Sequence, residues 1–412
     1  MNIIINEDQL NRLLLNEDNN EAYTRHQDMP DNLKKIWAVI AEKQKKLEEA
    51  LYGSLSEKIY DITQEKINAM GGKYKRLPSI MFKAGNDKLP KSVLFVNMSS
   101  SLMCPSYFLG LCNITKGQCY AQAAENRYTN TVLPIRWKTD IMYTQMLQQY
   151  QHGNKDPMKQ YFNLVETYIQ LGNAYSKNII RQEAKKMVKK LGRPLTEGEK
   201  EFLDIQWDEY RITDVRLNET GDFHCQLAVD LWDKFAGKIK RKYGINTHAY
   251  TSRLLDFSNV KNMAVNTSRT DANTGDNPKR IFKAVSDEVY ESLKGGDEVV
   301  NRQPVLGYNG NKWFYKCPCT EGNSACEDCG VCFDRNKTGK PYTIYVRYHG
   351  TKNANGLKNL FTTTEVDNVI KSLERNGWIS DEENRVFNKK GVQKSLKDYD
   401  KGVLDKRNNA KK

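Results

Sequence analysis

The sequence predicts an α/β fold: a partial (β/α) barrel with a mainly parallel sheet, a helical N-terminal extension and a Cys-rich C-terminal metal-binding segment. Three observations predict it. Between about residues 92 and 287, short β-rich runs alternate with helical patterns, the rhythm of βαβ units. Several of those runs end in polar clusters, "NMSSS", "NETGD", "YTSR" and "NTSRTD", where parallel α/β architectures gather their ligands. Beyond them, "CPCTEGNSACEDCGVCF" places five of the chain's nine cysteines between Cys317 and Cys332.

Taken in order, residues 1–90 read as a helical N-terminal region. Ile3, Ile4, Ile5, Leu10, Leu13 and Leu14 give a short amphipathic element. Pro30 stands before a helical stretch over 31–70, in which Leu33, Ile36, Trp37, Ile40, Leu47 and Leu51 recur at helical intervals. A barrel-like core is expected over 91–315. "SVLFVNMS" is too short for a helix and reads as a buried strand, and a helical pattern follows from about 120 to 206. "YRITDVRLN" is then a strand, "CQLAVDLWDKFAGKIKRKY" an amphipathic helix, and "NTHAYTSR" a strand. "DFSNV" reads as a short helical turn, followed by strands at "NMAVNTSR" and "RIFKAVSD". Residues 316–340 form the Cys-rich metal-binding segment. Residues 341–388, with "YTIYVRYHG" as strand and "TTEVDNVIKSLERNGW" as a capped helix, are expected as a small α/β appendage. Residues 389–412 are a basic tail.

No apolar run approaches the roughly 18–20 residues of a membrane helix, and acidic residues interrupt the apolar N-terminus. A cytoplasmic protein without membrane association is expected, and in that reducing compartment clustered cysteines favour metal over disulfides. The net charge is +13, of which the tail supplies +6 from nine Lys or Arg against three Asp. One reading of the tail is a nucleic-acid contact through released counterions. The plainer one is a solvated terminus, since no aromatic side chains interleave its lysines as stacking platforms.

The first cysteine group, "CPSYFLGLCNITKGQCYA", sits directly after the first core strand and holds Cys104, Cys112 and Cys119. Three thiolates can fix three irons of a four-iron cluster and leave one iron open, or supply three ligands of a zinc site. Three buried free thiols are the plain alternative. In the second group Cys326, Cys329 and Cys332 repeat the C-x2-C spacing that lets one turn present its thiolates to one centre. Cys317 and Cys319 can complete the shell, with His349 spare. Zinc and an iron–sulfur cluster both fit that spacing. Cys225 is left over, at a helix start.

Other residues weighed are Asp222, as a cofactor contact or a helix cap, and Arg253 and Arg269, which end strands and suit an anionic ligand. Arg216 is an anion or ion-pair partner, and His224 and His248 are acid–base candidates.

"CPSYFLGLCNITKGQCYA", followed by "VRLNETGDF", "HAYTSR" and "CEDCGVCF", resembles the phage "gene product 88" family over about residues 90–335. The Cys-Tyr-Ala ending is also similar to phage-encoded proteins of the radical SAM kind, although the cysteines here are more widely spaced. What the resemblance implies is a phage-encoded iron–sulfur enzyme working in the host cytoplasm. Cys104, Cys112 and Cys119 would hold a 4Fe-4S cluster. Glu219, Gly221 and Asp222 would stand near the methionine end of S-adenosylmethionine, with Asp222, Arg253 and Arg269 as catalytic candidates. The terminal cysteines would then form a second metal site, iron–sulfur or zinc. Cleavage of the cofactor would abstract hydrogen from an unidentified substrate, with nucleic acid or a nucleotide a candidate. Two alternatives stand beside it: a zinc-stapled nucleic-acid-binding protein without redox chemistry, and a zinc-containing barrel enzyme acting on a nucleobase through Asp222.

Overall fold

The computed structural model describes residues 82–84, 92–100, 104–109, 132–275, 279–293, 312–318, 326–333, 341–347 and 373–383, with a few shorter stretches between them. The expectations for residues 1–81 apart from Leu47, and for the basic tail, lie outside the described residues. So do Cys112, Cys119, Cys319 and His349.

The chain is a mixed α/β protein built on one nine-stranded sheet. In chain order its strands are β1 (Phe82–Ala84), β2 (Val93–Val96), β3 (Asp214–Leu217), β4 (Asn246–Thr251), β5 (Met263–Thr267) and β6 (Arg280–Val285). After the short separate pair β7 (Val299–Val300) and β8 (Gln303–Pro304) come β9 (Gly307–Asn309), β10 (Lys312–Lys316) and β11 (Tyr342–Arg347). The spatial order is β1-β2-β3-β4-β5-β6-β11-β10-β9. The seven strands from β2 to β10 pair in parallel, and only the edges β1 and β9 run antiparallel. Among the described residues no ladder joins β1 to β9.

All four residues of β2 are buried, as expected of a strand covered on both faces. Their side chains alternate. Leu94 and Val96, with Val215, Leu217 and Ala249 of the neighbouring strands, share one core with α2 (Val132–Gln151), α3 (Asp156–Leu191) and α5 (Gln226–Tyr243). Val93 and Phe95 point the other way and meet Phe333, while Tyr315, Tyr342 and Ile344 on the same face meet Cys329 and Val331. Helices therefore cover one face and the cysteine-bearing segment covers the other. A partial barrel has the same layering, with helices outside and site residues on the inward face.

The expected helices follow from their sequences. In α5, Ala228, Val229, Trp232, Phe235, Ala236 and Ile239 recur at three- and four-residue steps and are all buried. Gly244, at φ 71°, ends the helix by giving its N–H to Lys240 O, and the basic last turn complements the helix dipole. α3 starts on Asp156 and a first-turn proline and stops at Gly192, likewise left-handed. α4 (Glu197–Tyr210) packs back along it.

Two expectations are corrected. "DFSNV" forms a non-helical turn, bridged from Asp256 to Asn273. The strand placed in a C-terminal appendage, β11, lies inside the main sheet between β6 and β10. Its apolar residues Tyr342, Ile344 and Val346 need burial that a small appendage would not provide. No described helix is long and apolar enough to cross a membrane.

A carboxylate joins the two main helices. Glu166 on α3 accepts from Lys238, from Lys242 at 2.6 Å and from the Tyr243 hydroxyl at 2.7 Å, all on α5. Burial pushes this carboxyl up, but the three donors outweigh it and hold it at about 2. A lowered folded-state pKa gives stability that is present above the unfolded value and lost as pH falls through the folded one. Glu166→Gln is therefore expected to lose roughly 1–2 kcal/mol at pH 7, allowing for screening of the half-exposed lysines. The gap between variant and wild type should close between pH 4.5 and about 2, followed by circular dichroism during acid titration.

Candidate metal centre and strand-end site

The carboxyl ends of β2, β3 and β4 are laced together through Asp222. Its Oδ2 accepts from Ser106 Oγ at 2.6 Å and Ser252 N at 2.7 Å, and its Oδ1 from Thr251 Oγ1 at 2.6 Å and Phe223 N at 2.8 Å. The side chain is buried, and burial pushes its carboxyl up while the Ser106, Ser252 and Thr251 donors pull it back. Four donors fill the four lone-pair sites of a carboxylate. Asp222 is thus a clamp inside the fold, with no acceptor left for a cofactor amine or ribose, and it does not cap α5.

Gly221 belongs to the same clamp. At φ 73° its Cα lies so close to β2 that a Cβ would fall 1.6 Å from Ser99 Oγ. That hydroxyl accepts from Asp222 N at 2.9 Å, and Thr220 Oγ1 donates to Ser99 O. Only glycine fits this close approach. Glu219 is the member of the expected cofactor trio that remains partly accessible, 3.9 Å from Arg136 Nη2.

Arg253 is wholly internal. Nε and Nη2 reach the two oxygens of Glu383, Nη1 donates to the carbonyls of Phe223 and His224, and Nη2 also donates to Trp378 O. All five guanidinium hydrogens are engaged, which corrects the expectation that Arg253 binds an external anion. Arg269, expected beside it, forms a bidentate pair with Asp271 at the surface. The two arginines do not converge.

His224 is buried with its Nε2 3.0 Å from Asp140 Oδ1, and Asp140 Oδ2 accepts from Ser100 N. Burial pushes the Asp140 carboxyl up, and His224 pulls it back. At this edge one amide keeps hydrogen-bonding capacity. Asn218, following β3 at φ 59°, is buried with neither side-chain atom partnered among the described residues. Its left-handed backbone, which asparagine tolerates better than other non-glycine residues, ends the strand.

Of the first cysteine group, Cys104 is described. It is buried beside α1 (Pro105–Phe108), whose Ser106 is the Asp222 donor. The loop that carries the group is therefore tied to the carboxyl ends of β3 and β4. Cys225 starts α5 as a buried thiol pushed up to about 11 by burial, an inert group rather than an activated one.

The second cysteine group lies on the inward face. α7 (Cys326–Cys329) is a single turn; Gly330, at φ 63°, reverses the backbone, and a 3-10 turn, Val331–Phe333, presents Cys332. Cys317 arrives from the end of β10, its N–H bound to Tyr345 O. Cys317, Cys326, Cys329 and Cys332 line one cavity of about 50 Å³ with Arg216, Tyr250, Tyr315 and Phe333. Burial pushes the Cys332 thiol up, and the sulfurs of Cys317, Cys329 and Cys326 add to it, whereas the Tyr250 hydroxyl donates a hydrogen bond to Cys332 and opposes the rise. Among the described residues no three Cys, His, Asp or Glu side chains are gathered closely enough to hold a metal ion. Four soft donors around one apolar cavity still suit a thiolate-bound metal group. His248 packs its ring on Phe333 below this cavity and stands away from Asp222 chemistry.

Sequence reading missed Ser99, Ser106, Thr251, Ser252, Glu383 and Tyr250. The Ser/Thr-rich strand ends were visible in the sequence, but their common target was not. No family model, curated protein or solved structure matches this chain.

Proposed function

We propose that this chain is a redox metalloenzyme resembling radical SAM proteins. In this reading Cys104, Cys112 and Cys119 hold a 4Fe-4S cluster at the strands' carboxyl ends, and the terminal cysteines form a second metal centre. The observation that carries the reading is the tie from Ser106 to Asp222. It anchors the loop bearing Cys104 at the edge where parallel α/β proteins bind ligands. A cluster with one open iron would supply the electron that cleaves S-adenosylmethionine. The chain's own residues would do the rest. Asp222 holds the loop against β3 and β4, and Asn218 offers a donor and an acceptor to the polar end of the cofactor. Glu219, the partly accessible carboxylate of this edge, is placed for a cationic group. Asp222 and Arg253 act as scaffold in this account, not as catalytic groups.

The test is anaerobic incubation of reconstituted protein with dithionite and S-adenosylmethionine, read out as 5′-deoxyadenosine. Wild type is expected to form it. Cys112→Ala is expected to lose formation more than 100-fold, on the order of the loss when a catalytic metal ligand is removed, while retaining the terminal metal. A wild-type protein that binds zinc at both sites and never cleaves the cofactor overturns the reading. The zinc-stapled nucleic-acid-binding protein then becomes the better account.

A further inference from the structure

On the inward face, Arg216 of β3 lays its guanidinium over the ring of Tyr250 on β4, 4.7 Å from the centroid, and over Phe95 of β2 at 5.5 Å. Both side chains line the cavity of the four cysteines. The Tyr250 hydroxyl is committed to Cys332, and Asn266 Nδ2 holds the Cys332 carbonyl at 3.1 Å. One thiol thus receives a hydrogen bond from a tyrosine whose ring is held in place by a cation.

We infer that Cys317, Cys326, Cys329 and Cys332 ligate an iron–sulfur cluster whose reduction potential is set by Tyr250 and Arg216, with Cys319 outside the ligand set. This rests on the reading of the terminal cysteines as metal ligands.

Three arguments support it. First, zinc binds sulfur at about 2.3 Å, so a single ion draws four sulfurs to within roughly 3.8 Å of one another. The described cysteines ring a cavity and are not gathered in that way. A multi-iron core holds its thiolates farther apart and matches this arrangement. Second, two successive C-x2-C steps with a fourth cysteine from elsewhere is a ligand pattern of iron–sulfur proteins. Third, a structural zinc gains little from a hydrogen bond and a cation held at one ligand. A redox cluster gains a good deal, because both stabilise the added electron and raise the potential. Four thiolates on a cluster core of two positive charges leave two negative charges. Reduction adds a third, and Arg216 lies against the tyrosine that contacts this centre. Tyr250 and Arg216 are therefore positioning residues that act through Cys332.

The experiment uses full-length protein carrying Cys112→Ala, so that only the terminal centre is loaded, purified anaerobically. Iron, sulfide and zinc are counted, and the centre is titrated with dithionite under electron paramagnetic resonance. Tyr250→Phe is expected to keep the iron count and shift the potential to more negative values. Arg216→Gln should shift it the same way, and Arg216→Lys should restore it. Cys319→Ser should keep the cluster, while Cys326→Ser should lose it. Stoichiometric zinc without iron, an unchanged potential in Tyr250→Phe, or cluster loss in Cys319→Ser overturns the inference. None of these outcomes bears on S-adenosylmethionine cleavage, which the first cysteine group is proposed to carry.

Discussion

Replacing Glu383 by alanine is expected to destabilise the protein by about 3–5 kcal/mol, the range for removing one partner of a buried ion pair. Arg253 and Glu383 are both fully buried and make a two-pronged pair, with Nη2 2.8 Å from Oε2. The remaining guanidinium hydrogens satisfy the carbonyls of Phe223, His224 and Trp378. Without Glu383 the guanidinium keeps its charge, loses its counter-ion and has no water to turn to. The N–H groups of Leu254 and Ser380, which Glu383 also accepts, would be orphaned with it. A fall in the urea midpoint with an unchanged slope is the expected readout. The paired replacement Arg253→Met with Glu383→Leu should recover part of the loss, because it removes the uncompensated charge. By contrast Glu197→Ala, which breaks the exposed pair with Lys200, should change stability by no more than about 0.5 kcal/mol. Equal losses at the two sites would refute the buried-latch account.

Asp222→Asn should be almost as costly, about 2–4 kcal/mol, although it changes one atom. Each carboxylate oxygen of Asp222 receives two donors, one of them a backbone N–H that cannot turn away. An amide nitrogen in either place would face two hydrogens and leave both unpaired. The same change distinguishes scaffold from catalyst. A catalytic base replaced by its amide keeps its stability and loses its reaction, whereas a clamp loses stability first. Thermal unfolding of the variant beside wild type reads the difference directly. A melting temperature unchanged in Asp222→Asn would return Asp222 to the catalytic candidates.

Much of the architecture is readable in the residue order, for local reasons. The spacing of Ala228, Val229, Trp232, Phe235, Ala236 and Ile239 dictates one buried helix face, and Gly244 dictates where the helix stops. The short apolar runs of β2 to β6, separated by helical patterns or turns, dictate parallel pairing, because strands of one direction need a crossover between them. The cysteine steps at Cys326, Cys329 and Cys332 dictate a common thiol face within two short turns. These are properties of neighbours in sequence.

What only the tertiary structure decided are pairings between distant residues. Asp222 and Arg253 carry the residue types of a site, yet their partners sit up to 130 residues away, at Ser106 and Glu383. A charged group at a strand end is a ligand contact or a clamp according to whether its lone pairs or hydrogens are already taken, and composition does not say which. β11 looked like part of an appendage because it follows the cysteine segment. It enters the sheet because β6 and β10 left a parallel place whose inward face matched Tyr342, Ile344 and Val346. Tyr250 and Arg216 lie far from the cysteines in sequence. The register of β3 against β4, with Arg216 beside His248 and Tyr250 two residues on along the same face, brings them to one cavity with Cys332.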